Sequence, residues 1–416
     1  MIAVSDILGN GPELMPNIVV IVATLLVTAL LFSKPIEKSG WWAATAVPLA
    51  SIIGSGFLVV APILQMSTGR MAVAAMLLLV TLAYMIGAAI RFNIRYVEPK
   101  LAGGTLHRAP YTLEILSQWA LAFAYIVSVT YYLTLFGDFL LRGAGMVDPM
   151  LSKSVTSAVI LFIAFYGQHR GFNFLGRFEA VKLGIIAGLL AGLVFGNTEA
   201  FLHGVWQLPA EHVKPGWHEM QMVLGMLIVV QGFETSRYLG ERFPPQLRIR
   251  SMRYAQWISG GIYVAYIALM LYYFKYPLPP EGQDTAIITL SKHIATILPV
   301  MLVALALIAQ FDAAVADAQG GSGLLSELSR KRVSTGLGYI VIAAGGLIIV
   351  WSSNVFEVIV YASKSFAVYY TLQASVAALT ALKHEDIPHR YAKFFGFSLV
   401  ASAALSVVVF GIPAQG

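Results

Sequence analysis

The sequence predicts an all-α integral membrane protein of about twelve transmembrane helices, arranged as two inverted five-helix repeats with one further helix before them and one after. Three observations predict it. The chain is 58% hydrophobic and only 12% charged, with a mean hydropathy of +0.76, which leaves too few polar residues to clothe a core in water. Apolar runs long enough to cross a hydrocarbon layer of about 30 Å recur along the whole length. Two of these runs are interrupted at corresponding places five helices apart, the pattern of an inverted-repeat transporter with its site at the repeat interface.

The first run, 16–33, has no Lys or Arg ahead of it, and Lys34 comes only afterwards. It lacks the charged n-region of a secretory signal and is expected to persist as the extra N-terminal helix. Runs 42–66, 71–92, 114–141, 154–168 and 178–196 make the first repeat, residues 42–196. Runs 219–238, 255–274, 298–327, 336–352 and 354–382 make the second, residues 219–382, and 394–411 is the final helix. An odd number of helices per repeat forces the two repeats into opposite orientations. Since no linker or low-complexity stretch interrupts the series, residues 1–416 read as a single membrane domain.

Most of the 27 Lys and Arg residues fall on one set of alternate loops, among them Arg91, Arg95, Lys100, Arg237, Arg242 and Arg248, whereas Lys214, Lys275 and Lys292 fall on the other. The positive-inside rule then places both termini outside, in a multi-pass protein of a plasma membrane, the inner membrane of a bacterium. Trp41, Trp42, Trp206, Trp217 and Trp351 lie near run ends and read as interfacial belt residues. The same topology accounts for the net charge of +6, so the basic balance is no sign of nucleic-acid binding. With no cysteine and eight histidines near run ends or in loops, neither a thiolate metal site nor a buried histidine cage is expected, and no cofactor. There is no nucleophile–base pairing and no phosphate-cradling loop, so an enzyme is not expected.

The first interruption is Ile53-Gly54-Ser55-Gly56, between Pro48 and Pro62 in the second run. Unpaired backbone groups in hydrocarbon cost several kcal/mol each, so an unwound stretch there survives only beside a cavity or ligand. Free N–H groups at a half-helix start would then face an anionic group. The alternative is a glycine face for close helix packing. The second interruption is Gln231-Gly232-Phe233-Glu234 in the seventh run. Glu234 is a candidate either for anchoring a substrate amine or for capping the half-helix.

These segments resemble the amino acid-polyamine-organocation (APC) superfamily of transporters with the LeuT fold. IIGSGFLVVAP at 52–62 looks like that family's glycine-serine-glycine helix, the 166–196 pair like its fourth and fifth core helices, and GFETSRYLGERFPPQLRIR at 232–250 like its broken sixth helix. The resemblance implies that backbone amides at 53–56 hold a substrate carboxylate, and that a lysine at Lys182 stands in for a bound sodium ion in proton-coupled members. Residues 311–332 look more like the eighth core helix of the related sodium/solute symporters. There the sodium-binding hydroxyl pair is replaced by Ala316 and Asp317, so the usual sodium site is not expected intact.

An ionisable group within a span costs at least roughly 2.5 kcal/mol and is a functional candidate by default. Lys182 and Asp317 are expected to pair and to couple transport to protons, with Asp317 also a candidate sodium ligand. The alternatives are a Lys182–Glu179 bridge one turn apart, snorkelling of Lys182, and a structural Asp317 beside the Gly320-Gly321 kink. Asp312 lies five residues earlier and about 140° round the helix, so it is not expected to act with Asp317. Lys364 and Glu357, two turns apart on one face, are candidates for a gate or for a plain tether. The expected function is alternating-access transport of a small amino acid or related amine, driven by protons. A sodium-driven symporter is the alternative, and a membrane sensor that signals to a partner is the alternative of another class.

Overall fold

The computed structural model describes residues 13–169, 179–210, 214 and 216–414, apart from the side chains of Glu37, Ser55 and His169. The described chain is helical with no strand. Ten helical stretches among the described residues are long and apolar enough to cross a membrane, one of them running over Gly40–Ala102 and taking in two successive long helices. In chain order the elements are α1 (Leu14–Leu31), α2 (Gly40–Ser67), α3 (Ala72–Phe92), α4 (Arg108–Gly143), α5 (Pro149–His169) and α6 (Glu179–Leu202). After the broken segment come α7 (Pro245–Met270), α8 (Leu298–Leu328), α9 (Thr335–Ser352), α10 (Val355–Lys383) and α11 (Arg390–Phe410). The boundary between α2 and α3 is a turn at Gly69, where φ is +51°, a conformation that glycine adopts without a Cβ penalty. The part of the 166–196 resemblance that falls on 170–178 lies outside the described residues.

The helix starts follow from local chemistry. Ser39 accepts from Trp42 N at the head of α2, Pro245 sits in the first turn of α7, and Pro299 in that of α8. In each place the missing or satisfied N–H is one the helix could not have paired internally. At α10, Asn354 and Glu357 make a reciprocal capping box with bonds of 3.0 and 2.9 Å.

The core is a bundle in which α4 packs along α8 and α10. On either side, α1 lies on α6, α7 covers α2, α9 covers α5, and α11 closes over α10. Ile52, Ile53, Phe57, Tyr131, Tyr263, Tyr266, Phe366 and Tyr369 are fully buried at its centre.

The two interruptions fare differently. At the first, α2 is continuous through Ile53–Gly56. Gly56 instead faces the backbone of Val229, which a Cβ would overlap. Its glycine serves close approach, the packing alternative, and helical hydrogen bonding survives because hydrogen on Cα is all the contact needs. At the second, a helix over Trp217–Leu224 gives way to 3-10 turns at Leu227–Val230 and Phe233–Tyr238, with Gly232 between them at φ +114°. This stretch crosses α2 so closely that a Cβ on Gly232 would meet Ser51 Oγ at 2.5 Å and Ile52 N at 2.9 Å.

Candidate functional site

The broken segment bares backbone groups in the middle of the bundle, and several acquire side-chain partners, some from neighbouring helices and some from the segment itself. Tyr263 Oη on α7 lies 2.6 Å from Val229 O and 3.0 Å from Ile52 O, tying the break to α2. Ser363 Oγ on α10 accepts from Ile228 N at 3.0 Å, and Thr235 Oγ1 donates to Gly232 O at 2.7 Å. Glu234 Oε2 accepts from Gly232 N at 3.0 Å, so this carboxylate caps the second half of the break, one of its two expected roles.

Around that cap the polar and aromatic side chains of the break are tied to neighbouring helices. Tyr370 Oη donates to Glu234 Oε2 at 2.8 Å, and Gln231 Nε2 donates to Tyr132 Oη at 2.8 Å. The Phe233 and Tyr370 rings stack at 5.4 Å. Gln231 and Glu234 are buried, each 2% exposed. One turn before Tyr132 on α4, Ser128 Oγ donates to Asp317 Oδ2 on α8. One helix face thus carries both the Gln231 contact and the Asp317 contact. Among the described residues neither Glu234 nor Asp317 forms an ion pair with a Lys, Arg or His. The site holds two carboxylates and no cation.

Lys182 does not meet Asp317. Its Nζ lies 3.1 Å from Glu179 Oε2 and 3.2 Å from Asp312 Oδ2, and the residue is 5% exposed. The face of α8 that packs on α6 is the one bearing Asp312, while Asp317, about 140° round, faces α4. The expected Lys182–Asp317 pair is therefore corrected to a Glu179–Lys182–Asp312 triad, with Asp317 held by Ser128. Glu357 is taken up by the capping box, and it makes no ion pair with Lys364. Of the first interruption, Ile53 and Gly56 pack against the core and the break, a Cβ added to Gly54 would meet Ala309 Cβ at 3.9 Å, and the Ser55 side chain lies outside the described residues.

A second polar cluster was not foreseen. Arg237, three residues past Glu234, donates to Glu114 Oε1 at 2.9 Å and also bonds Gln373 Oε1. Gln373 Nε2 donates to Glu114 Oε2 at 3.1 Å and to Ser117 Oγ at 2.7 Å, and Asn93 Nδ2 donates to Gln373 Oε1 at 2.7 Å. Arg248 Nη2 pairs with Glu98 Oε2 at 2.7 Å while its Nη1 donates to Arg237 O at 2.6 Å. The network ties α3, α4, α7, α10 and the broken segment at one end of the bundle. A signal was available in Glu114, a lone carboxylate opening an apolar run, and in Arg237, which falls inside the seventh run.

A family model described as APC superfamily transporter matches residues 34–411. The chain belongs to this superfamily. This APC transporter is also 39% identical over 401 residues to an uncharacterized protein of Aquifex aeolicus (strain VF5), covering 94% of its own length and 96% of the relative's. Among solved structures it is similar to Mhp1, a nucleobase-cation-symport-1 family transporter in a closed conformation with bromovinylhydantoin bound. That similarity is at 13% identity and a TM-score of 0.43, over 89% of this chain and 93% of that one. Membership in a transporter superfamily makes the protein a multi-pass membrane transporter of small molecules and not an enzyme.

Proposed function

We propose that this transporter moves a small amino acid or related amine by alternating access, coupled to protons, with the site at the Gln231–Glu234 break between α2, α4 and α10. The observation that carries this reading is that Glu234 and Asp317 flank the site with no cationic side chain paired to either. Two uncompensated charges in a low-dielectric interior are costly. Protons, a metal cation or a substrate ammonium must offset them. An amine suits the break better than a carboxylate does, because the Gly232 N–H is already taken by Glu234 and α2 offers no unwound amides at 53–56.

In this reading Asp317 is the coupling group: its charge changes as protons bind and leave, and its bond to Ser128 transmits the change to α4. Lys182 is held by Glu179 and Asp312 and fixes α6 against α8. The Arg237 network closes one end of the pathway. A sodium-driven cycle is the second reading, favoured by the paired oxygens of Ser128 and Asp317, which suit a hard cation.

The test is uptake of amino acids and amines into proteoliposomes under a proton gradient, with and without sodium. The expected result is sodium-independent uptake whose pH dependence disappears in Asp317→Asn while the variant stays monodisperse. Unchanged pH dependence in that variant overturns the coupling role. Saturable binding without net transport would make the protein a sensor.

A further inference from the structure

Glu114 and Asp138 stand about 36 Å apart along α4 at 1.5 Å per residue, so Asp138 marks the end of the bundle away from the Arg237 network. Here the last turns of α4, the start of α5, residues 280–285 and the start of α10 enclose a cavity of about 360 Å³. Asp138 from α4 and Asp284 from the 280–285 segment line it, and their carboxylates stand within hydrogen-bonding reach of each other. Ser152 Oγ donates to Asp138 Oδ1 at 2.5 Å. Asp284 is only 5% exposed, yet among the described residues its Oδ2 receives no donor. Two more oxygens on the same wall, Thr134 Oγ1 one turn before Asp138 and Gln283 Oε1 beside Asp284, are also buried without a partner.

Among the described residues these three oxygens receive no donor, and the two carboxylates are held against each other with at most a shared proton between them, so burial has removed hydration that the protein does not replace. A cation placed among them restores what burial removed. The charge balance limits its valence. Arg142 lines the cavity and donates from Nη2 to Thr289 Oγ1 at 2.7 Å, so two carboxylates face one guanidinium and a single negative charge is left over. Of the other charged groups lining the cavity, Asp148 is spent capping α5 through Met150 N and Leu151 N, and Lys153 stands half-buried in the first turn of α5. The donors are all hard oxygens.

We propose that Thr134, Asp138, Gln283 and Asp284 form a binding site for a monovalent hard cation, sodium, at this end of the bundle and apart from the Glu234–Asp317 site. The inference goes beyond the transport reading and holds whichever ion drives the cycle.

The experiment is equilibrium binding of radioactive sodium to the purified full chain at pH 8, with choline keeping ionic strength constant. The expected result is a saturable site that is lost in Asp284→Asn. Thr134→Val should weaken it at least fivefold, and Asp317→Asn should keep it. No saturable sodium binding at pH 8 overturns the proposal. So does binding that survives Asp284→Asn and vanishes in Asp317→Asn, which would put the ion at the central site. Should Asp284→Asn fail to fold, Thr134→Val and Gln283→Leu carry the test, and wild-type affinity in both would overturn it.

Discussion

At the scale of single residues, the positions that matter most are those where a neighbour leaves no room or no charge to spare. Gly232 combines φ +114° with Ser51 and Ile52 pressed against its Cα. Gly232→Ala should therefore add about 1–3 kcal/mol of backbone strain, before any clash, and abolish transport. The check is a fall in thermal midpoint together with lost uptake; wild-type behaviour would mean the break tolerates a side chain and is no tight crossing. Lys182 is a different case. Removing it leaves Asp312 and Glu179 buried and uncompensated, so Lys182→Met should destabilise the protein by about 3–5 kcal/mol, and adding Asp312→Asn should recover part of that loss. Were Lys182 a coupling group and not a tether, the single variant would lose transport with little loss of stability. Asp284 lies outside the spans and gives a pH signature. Burial raises it from 3.8 to about 6, against weaker lowering by its hydrogen bonds and Arg142, so the folded chain binds that proton more tightly than the unfolded one. Its contribution to stability is complete below about pH 4 and lost as pH rises through about 6. In a sodium-free melt series, Asp284→Asn should flatten that decline, and a parallel curve would show that other groups set it.

At the scale of elements, legibility followed periodicity and failed where a face had to be chosen. The apolar runs located the spans because length and hydropathy suffice for that, and Gly232 was visible because a Gln-Gly-Phe-Glu stretch cannot continue a membrane helix unaided. The Gly54-Ser55-Gly56 stretch was ambiguous for a physical reason: glycine permits both unwinding and close approach, and only Val229 across the interface decides between them. The partner of Lys182 was not legible because α8 is apolar on nearly every side, so its sequence does not say whether Asp312 or Asp317 turns toward α6. The Arg237 network escaped because its members come from five segments, and polar residues at loop ends read as solvated. That network makes its own prediction. Glu114→Gln leaves Arg237 without its carboxylate, so this end of the bundle should open more often. The chain has no cysteine, which allows Ser236→Cys to serve as a lone reporter. Thiol labelling of Ser236→Cys should speed up at least tenfold when Glu114→Gln is added. Equal rates would make the cluster a structural staple that does not move in the cycle.

At the scale of the whole molecule, the remaining question is which end faces which compartment. We propose that the ten span-length helices among the described residues, the turn at Gly69 that folds one of them into two arms, and the broken segment make an even number of crossings, which would put both termini on one side. Loop charge suggests the polarity: Arg91, Arg95, Lys100, Arg242, Arg248 and Arg250 cluster at the end that carries the Glu114–Arg237 network, and by the positive-inside rule that end would face the cytoplasm. The Asp138–Asp284 cavity would then open outside, where sodium is abundant, and the Arg237 network would be the inner closure. An alkaline phosphatase fused after Ala414 should be active in a bacterial host and a fluorescent protein fused there should stay dark, because the first folds only outside and the second only inside. The reverse pattern would invert the molecule. The network would become the outer barrier, and the Asp138–Asp284 site would meet the cytoplasm, where sodium is scarce and a proton is its only ready occupant.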